Sequence, residues 1–225
     1  MYKFFIPATR PKDWRQLLAE PTKHWKTGYS AKSLAYCWQK ANGFPRSVKG
    51  VLDSSGIPLF QDIALLVAFP EWEVPLPGGG RASQNNIFIL ARGNNQLISI
   101  MVEGKVRESF GEVISEWKSG SSKGKQTRLR YLCDLLQLNE EQVGHIRYQL
   151  LHRTASALIE AKKFNAPNAL MLVHSFSKDS EQEEKSFEDY CQFLLLFGLK
   201  AKANSLTRPI SIRRIRLCFG WVREE

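Results

Sequence analysis

The stretch "SQNNIFILARGNNQLISIMVEGKVRESFG", residues 83–111, decides the fold. Asn86 to Arg92 and Leu97 to Val106 read as two strands. "GNNQ" joins them with Asn94 and Asn95 at the centre of a tight turn, and asparagine tolerates the positive φ angles such a turn needs. Counting outward, Gly93 faces Gln96, Arg92 faces Leu97, Leu90 faces Ser99 and Phe88 faces Met101. Two steps on, Asn86 faces Glu103 and Gln84 faces Lys105. Side chains alternate between the faces of a strand. Gln84, Asn86, Glu103 and Lys105 therefore share one face, while Ile87, Ile89, Ile98, Ile100 and Val102 share the other. A one-residue slip would dissolve both sets.

Four polar groups at the end of an apolar hairpin need partners. One reading is a Glu103–Lys105 ion pair at a solvated strand end, with the two amides across the ladder. The other is a metal site. A carboxylate holds a hard cation such as Mg²⁺ or Mn²⁺, with an amide oxygen, a main-chain carbonyl and waters completing the shell. A nearby ammonium orients a metal-bound water or stabilises charge developing on a phosphate.

The remaining chain frames this hairpin. Its 225 residues suit one large domain or a core with an appended helical layer, and 43% apolar content is enough for one sizeable core. The net charge of +10 and a pI near 9.5 favour a polyanionic partner. The cysteines Cys37, Cys133, Cys191 and Cys218 are scattered, without zinc or redox spacing, as expected of reduced thiols in a cytoplasmic protein. The N-terminus lacks a signal-peptide pattern, and the longest apolar run, Ile63 to Phe69, is far too short to span a membrane.

Residues 1–57 read as an N-terminal helical segment packed on a core of residues 58–225. Its tryptophans Trp14, Trp25 and Trp38 are expected to anchor that layer; the alternative is a set of base-stacking platforms. "PLFQDIALLVAFPEW", 58–72, reads as a buried helix ending near Pro70, and Gly78 to Gly80 as a flexible entry to the hairpin. "RESFGEVISEW" has helical spacing. The next helices are "RLRYLCDLLQL" and "HIRYQLLHRTASALIEAKKF", followed by the buried strand "NALMLVHSF". Asp179 to Asp189 reads as a solvated start to "FEDYCQFLLLFG", and "ISIRRIRLCFGWV" as one final strand. In "KSGSSKGKQTRLR", Lys118, Lys123, Lys125, Arg128 and Arg130 form a basic loop without an acidic residue, expected to contact a phosphate backbone. Arg213, Arg214 and Arg216 are a second candidate.

Glu103-Gly104-Lys105, placed after a hairpin and before a helix and strand, resembles the E-x-K element of the PD-(D/E)XK nuclease superfamily. The resemblance covers residues 58–176. It implies an α/β fold, a restriction-endonuclease-like mixed sheet flanked by helices, with the N-terminal helical layer added. It further implies Glu103, Lys105 and Asn86 as catalytic residues, and Asn86 and Glu103 as ligands of Mg²⁺ or Mn²⁺. Asn86 stands where that family has an aspartate. Gln149 and Arg153, on the helix after the element, would join the nucleic-acid contacts; His152 is a further candidate there. "SQN", "VEGKV" and "LLHRTASA" also resemble blocks of a family of uncharacterised bacterial proteins. The implied function is cleavage of DNA or RNA phosphodiester bonds. The other class open is a non-catalytic nucleic-acid-binding or scaffolding protein on the same fold, with a protein partner or a second copy as possible company.

Overall fold

The computed structural model describes residues 8–120 and 122–224. An N-terminal layer holds a 3₁₀ turn, Pro11–Leu17, and helices α1 (Pro21–His24), α2 (Ser30–Ala41), α3 (Arg46–Ser54) and α4 (Pro58–Gln61). Three strands follow, β1 (Ala64–Val74), β2 (Ser83–Gly93) and β3 (Gln96–Lys105). Next come α5 (Ile114–Trp117), α6 (Lys123–Leu136), α7 (Tyr148–Lys163), β4 (Asn168–Ser175) and α8 (Ser180–Leu195). The chain ends on β5 (Ser205–Leu206), β6 (Ile210–Ile212) and β7 (Ile215–Arg223).

The strands form one seven-stranded mixed sheet in the order β1-β2-β3-β4-β7-β5, with β6 also paired to β7. The pairs β1–β2 and β2–β3 are antiparallel; β3–β4 and β4–β7 are parallel. Helices cover both faces of this α/β sheet. Ile87, Ile89, Ile98, Ile100 and Val102 pack under Trp14, Leu34, Trp38 and Leu52 of the N-terminal layer. Phe88 and Met101 face Leu150, Leu151 and Leu158 of α7, with α6 and α8 on the same side. The central strand β4 is buried along its whole length and reads apolar on both faces, as a parallel strand covered on both sides must. Among the described residues, no helix is long and apolar enough to cross a membrane.

The hairpin has the expected register, Gly93↔Gln96 through Phe88↔Met101, and Asn94 and Asn95 both have positive φ, 46° and 57°. The ladder stops at Ile87↔Val102, so neither expected pair beyond it, Asn86–Glu103 or Gln84–Lys105, forms: Asn86 Oδ1 accepts from Gly104 N at 2.9 Å, and Gln84 turns to the N-terminal layer, donating to Leu17 O at 3.2 Å. Trp14 and Trp38 are core anchors, and Trp25 packs against the same cluster.

Four expectations of secondary structure need correction. Residues 58–72 are a one-turn helix and an edge strand, not a buried helix. A short unbroken apolar run does not distinguish the two by periodicity, and Pro70 is tolerated because β1 is at the sheet edge. "RESFGEVISEW" holds only the single turn α5, since Val113 is extended and bridges Arg147. The basic segment is helical from Lys123 onward, with the Ser122 hydroxyl accepting from Lys125 N as N-cap. "ISIRRIRLCFGWV" is a hairpin, because Arg213 and Arg214 adopt φ of 47° and 70° and turn the chain.

Gly104 faces the N-terminal layer. A Cβ there would lie 2.3 Å from Leu34 Cδ1 and 2.7 Å from Leu34 Cγ, inside a fully buried contact. Gly104→Ala is therefore expected to cost about 1–3 kcal/mol from overpacking, read from the urea midpoint at unchanged m-value. An unshifted midpoint would mean that Leu34 swings aside without loss.

Candidate functional site

The C-terminal end of β3 opens into a cleft of about 290 Å³ whose lining includes Glu71, Gln84, Asn86, Glu103, Lys105, Gln149 and Arg153. Five were singled out above as site residues: Asn86, Glu103, Lys105, Gln149 and Arg153. Alternation along β3 puts Glu103 and Lys105 on the α7 side. There, Gln149 and Arg153, one helical turn apart, present the amide and the guanidinium.

Glu103 is 3% exposed and ion-paired on both oxygens. Lys105 Nζ donates to Oε1 at 2.8 Å, and Arg153 Nε donates to Oε2 at 2.6 Å. Burial opposes ionisation of Glu103, but the charges of Arg153 and Lys105 outweigh it and hold the carboxyl below its ordinary range. Lys105 also donates to Ser109 O (3.2 Å) and Gln149 Oε1 (3.0 Å), using all three ammonium protons, and sits 4.4 Å from the Phe110 ring centroid. Arg153 donates in addition to Gln84 O.

Glu71 was not anticipated. It lies on β1 between Phe69 and Trp72, whose rings are 4.7 Å apart on the α7 face. Residues three apart cannot share a face of a regular strand. Glu71 breaks the alternation with a left-handed φ of 52°, and its carboxyl reaches the cleft. A non-glycine residue held there costs about 1–2 kcal/mol. Its carboxylate accepts from Gln84 Nε2 at 3.1 Å and is hydrogen-bonded by Asn86, but it forms no salt bridge among the described residues. Burial pushes Glu71 up to about 8. The charge of Glu103 adds to this, against Arg153 and the two amide hydrogen bonds. The sequence signal was small: a carboxylate directly after Pro70, at the end of an apolar run.

The cleft therefore holds two buried carboxyl groups, Glu103 ionised between two ion-paired cations and Glu71 with no ion pair among the described residues, held protonated at neutral pH by burial. Glu71 adds two hard oxygens beside Glu103, and a divalent cation such as Mg²⁺ or Mn²⁺ fits them by displacing the Glu71 proton. A second cluster, Cys37, His174 and Glu224, has ligand atoms within 4.8 Å of one another on the opposite face of the sheet. It does not fit a metal. Trp38 Nε1 donates to His174 Nδ1 at 3.1 Å, so the neutral ring carries its proton on Nε2, where Glu224 Oε2 accepts it at 2.8 Å. No imidazole lone pair remains for an ion.

The other candidates lie elsewhere. His152 turns away from the cleft, with Nδ1 at 2.7 Å from Ser83 Oγ. Burial, then the charges of Arg153, Arg128 and Lys105, hold it neutral, well below its ordinary pKa. With His152, Arg153, Ser156 and Glu160 all buried, the polar face of α7 is an internal network rather than a solvated surface. Of the basic segment, Arg128 clamps the glycine loop, donating to Pro77 O at 3.1 Å, Arg81 O at 2.9 Å and Gly79 O. Gly78 packs so tightly on Gly124 that a Cβ on either would meet the other's carbonyl oxygen at 2.1 Å. The glycine loop is thus a fitted contact, not a flexible entry. Lys125 donates to Trp117 O at 2.6 Å. Only Lys123 and Arg130 of that set are exposed.

The sequence profile of a family described as a domain of unknown function, DUF6946, matches residues 7–225, nearly the whole chain. The chain belongs to the DUF6946 family. No curated protein and no solved structure matches it. In this DUF6946 member, the cleft brings Glu71 and Glu103 together with Lys105 and Arg153.

Proposed function

We propose that this cleft is the centre of a metal-dependent nuclease acting on DNA or RNA phosphodiester bonds. The observation that carries the reading is the convergence of Glu71 and Glu103 beside Lys105 and Arg153. Glu71 and Glu103 would hold Mg²⁺ or Mn²⁺. The bound cation would supply Lewis-acid charge to a phosphate oxygen and a water of lowered pKa. Asn86 positions this pair, one end of its amide on Gly104 N and the other on Glu71. Lys105 offers its ammonium to phosphate charge by releasing the Gln149 amide, the neutral side-chain partner among its three contacts. Arg153 holds Glu103 ionised and oriented. The +10 charge suits the polyanion, and four unpaired cysteines suit a cytoplasmic setting.

One observation favours a second reading, a non-catalytic nucleic-acid-binding or scaffolding protein. Both oxygens of Glu103 and all three protons of Lys105 are already satisfied within the protein. Calorimetry with Mn²⁺ and cleavage assays on plasmid, linear duplex, single-stranded DNA and RNA separate the two. We expect Mn²⁺ binding and cleavage by the wild type, both increased in Asn86→Asp, which adds a carboxylate, and cleavage lowered at least ~100-fold in Glu71→Gln. If wild type and Asn86→Asp are inert and neither binds an ion, the nuclease reading is replaced by the scaffold.

A further inference from the structure

Two clefts run beside the candidate site, along α2. The nearer, about 500 Å³, is lined by Gly28, Arg107, Phe176 and Lys178 among others. The farther, about 1100 Å³, is lined by Tyr36, Lys40, Arg46 and, again, Phe176. Ser33 and Phe176 belong to both, so the clefts form one continuous groove. Its near end adjoins the site through Glu108, whose Oε1 accepts from Ser30 N at 2.7 Å and whose Oε2 accepts from Arg107 N at 3.1 Å.

The charges in this groove are unevenly engaged. Asp179 caps α8, accepting from Glu181 N and Gln182 N, and Glu224 is bound to His174 and Ser47. Lys40, Arg46, Arg107 and Lys178 are all exposed, and none has a side-chain hydrogen bond or ion pair among the described residues. Arg128 and Lys125 on α6, by contrast, are held by main-chain carbonyls. Free cations are the ones available to displace counterions from a phosphate chain. The groove also presents aromatic surface. Tyr36 is 44% exposed with no ring partner among the described residues, and Phe176, half-buried, lies 4.3 Å from the His174 ring. Aromatic faces beside a basic track stack unpaired bases, which a duplex keeps inside its own stack.

We infer that the groove along α2 binds a single-stranded nucleic acid, Lys40, Arg46, Arg107 and Lys178 contacting phosphates and Tyr36 stacking on a base. This inference rests on the nuclease reading only for the direction in which the strand runs, toward the Glu103–Lys105 cleft; binding itself needs no metal.

The test is fluorescence anisotropy of labelled 15-nucleotide single-stranded DNA, the same RNA sequence and a 15-base-pair duplex, all with EDTA, across a salt series. Single strands are expected to bind more tightly than the duplex, and the DNA and RNA arms identify the preferred sugar. The variant Lys40→Ala/Arg46→Ala/Arg107→Ala/Lys178→Ala should reduce the slope of log K against log salt by about 3, at roughly 0.7 per phosphate contact. Arg46→Ala alone should reduce it by about 0.7. Tyr36→Ala should weaken binding about tenfold. Thermal denaturation serves to verify that these exposed substitutions leave the fold intact. Wild-type affinity in the quadruple variant, with loss instead in Lys123→Ala/Arg130→Ala, overturns the groove, as does tighter binding of the duplex. Failure of this kind alongside Mn²⁺-dependent cleavage leaves the nuclease site standing. Binding with no cleavage under any condition removes the nuclease and retains the groove.

Discussion

Glu103→Gln is expected to destabilise the protein by about 3–5 kcal/mol at neutral pH, the largest loss from any single polar substitution in the cleft. The amide is nearly isosteric, so the effect is electrostatic. Removing the carboxylate leaves Lys105 and Arg153 buried side by side, 4% and 9% exposed, with no anion between them. The difference must also depend on pH in one direction. Glu103 is held below its unfolded value, so its contribution is complete above the unfolded pKa, near 4.5, and is lost as pH falls through the folded value. Urea titrations at pH 7 and in acid should show the gap between wild type and variant closing on acidification. A variant as stable as wild type at pH 7 would mean that the two cations reach solvent, contrary to the closed network described above.

Glu71→Gln should have the opposite sign. Its folded pKa is raised from 4.5 to about 8, so the folded state favours the neutral carboxyl. Below the unfolded pKa, wild type and variant should match. As pH rises through the interval, the unfolded chain releases a proton that the folded protein retains, and the wild type loses stability until about pH 8. Over about 3.5 units, at about 1.4 kcal/mol each, the glutamine variant should gain on the order of 3–5 kcal/mol at alkaline pH. A divalent cation should reverse the comparison. It draws Glu71 into the ionised form, so Mn²⁺ should raise the wild-type melting temperature, more so at pH 8 than at pH 6, and leave Glu71→Gln unmoved. A flat pH dependence in the difference between the two proteins would show that Glu71 is solvated, and equal Mn²⁺ shifts in both would place the ion elsewhere. One cleft thus contains two glutamates whose conversion to the amide changes stability in opposite directions, because two ion pairs outweigh burial at Glu103 whereas burial outweighs the Arg153 charge and the amides at Glu71.

The hairpin and its two faces were legible in the sequence because each rests on a short-range rule. Asn94 and Asn95 accept the positive φ of the turn, and strict alternation then carries the register to Met101 and beyond without reference to the rest of the chain. The helix α7 and the strand β4 were legible for the same reason, a sustained period and an unbroken apolar run bounded by turn residues. Alternation also put Glu103 and Lys105 on one face, and helical spacing put Gln149 and Arg153 on one side of α7. Those residues needed only the packing of α7 on β3 to meet.

What the sequence could not determine depends on groups distant in the chain. β1 resembled a buried helix until β2 paired with it and placed Pro70 at an edge. Glu71 enters the cleft only because the sheet and the Phe69–Trp72 ring contact together hold a left-handed residue that local preference disfavours. Arg128 and Lys178 look alike in sequence. Three carbonyls in residues 77–81, about 50 positions away, engage the first, whereas nothing among the described residues engages the second. Alternation and turn preference act over a few residues and can be read along the chain. Whether a buried charge or an exposed cation has a partner is decided by long-range contacts, and only the tertiary structure supplies those.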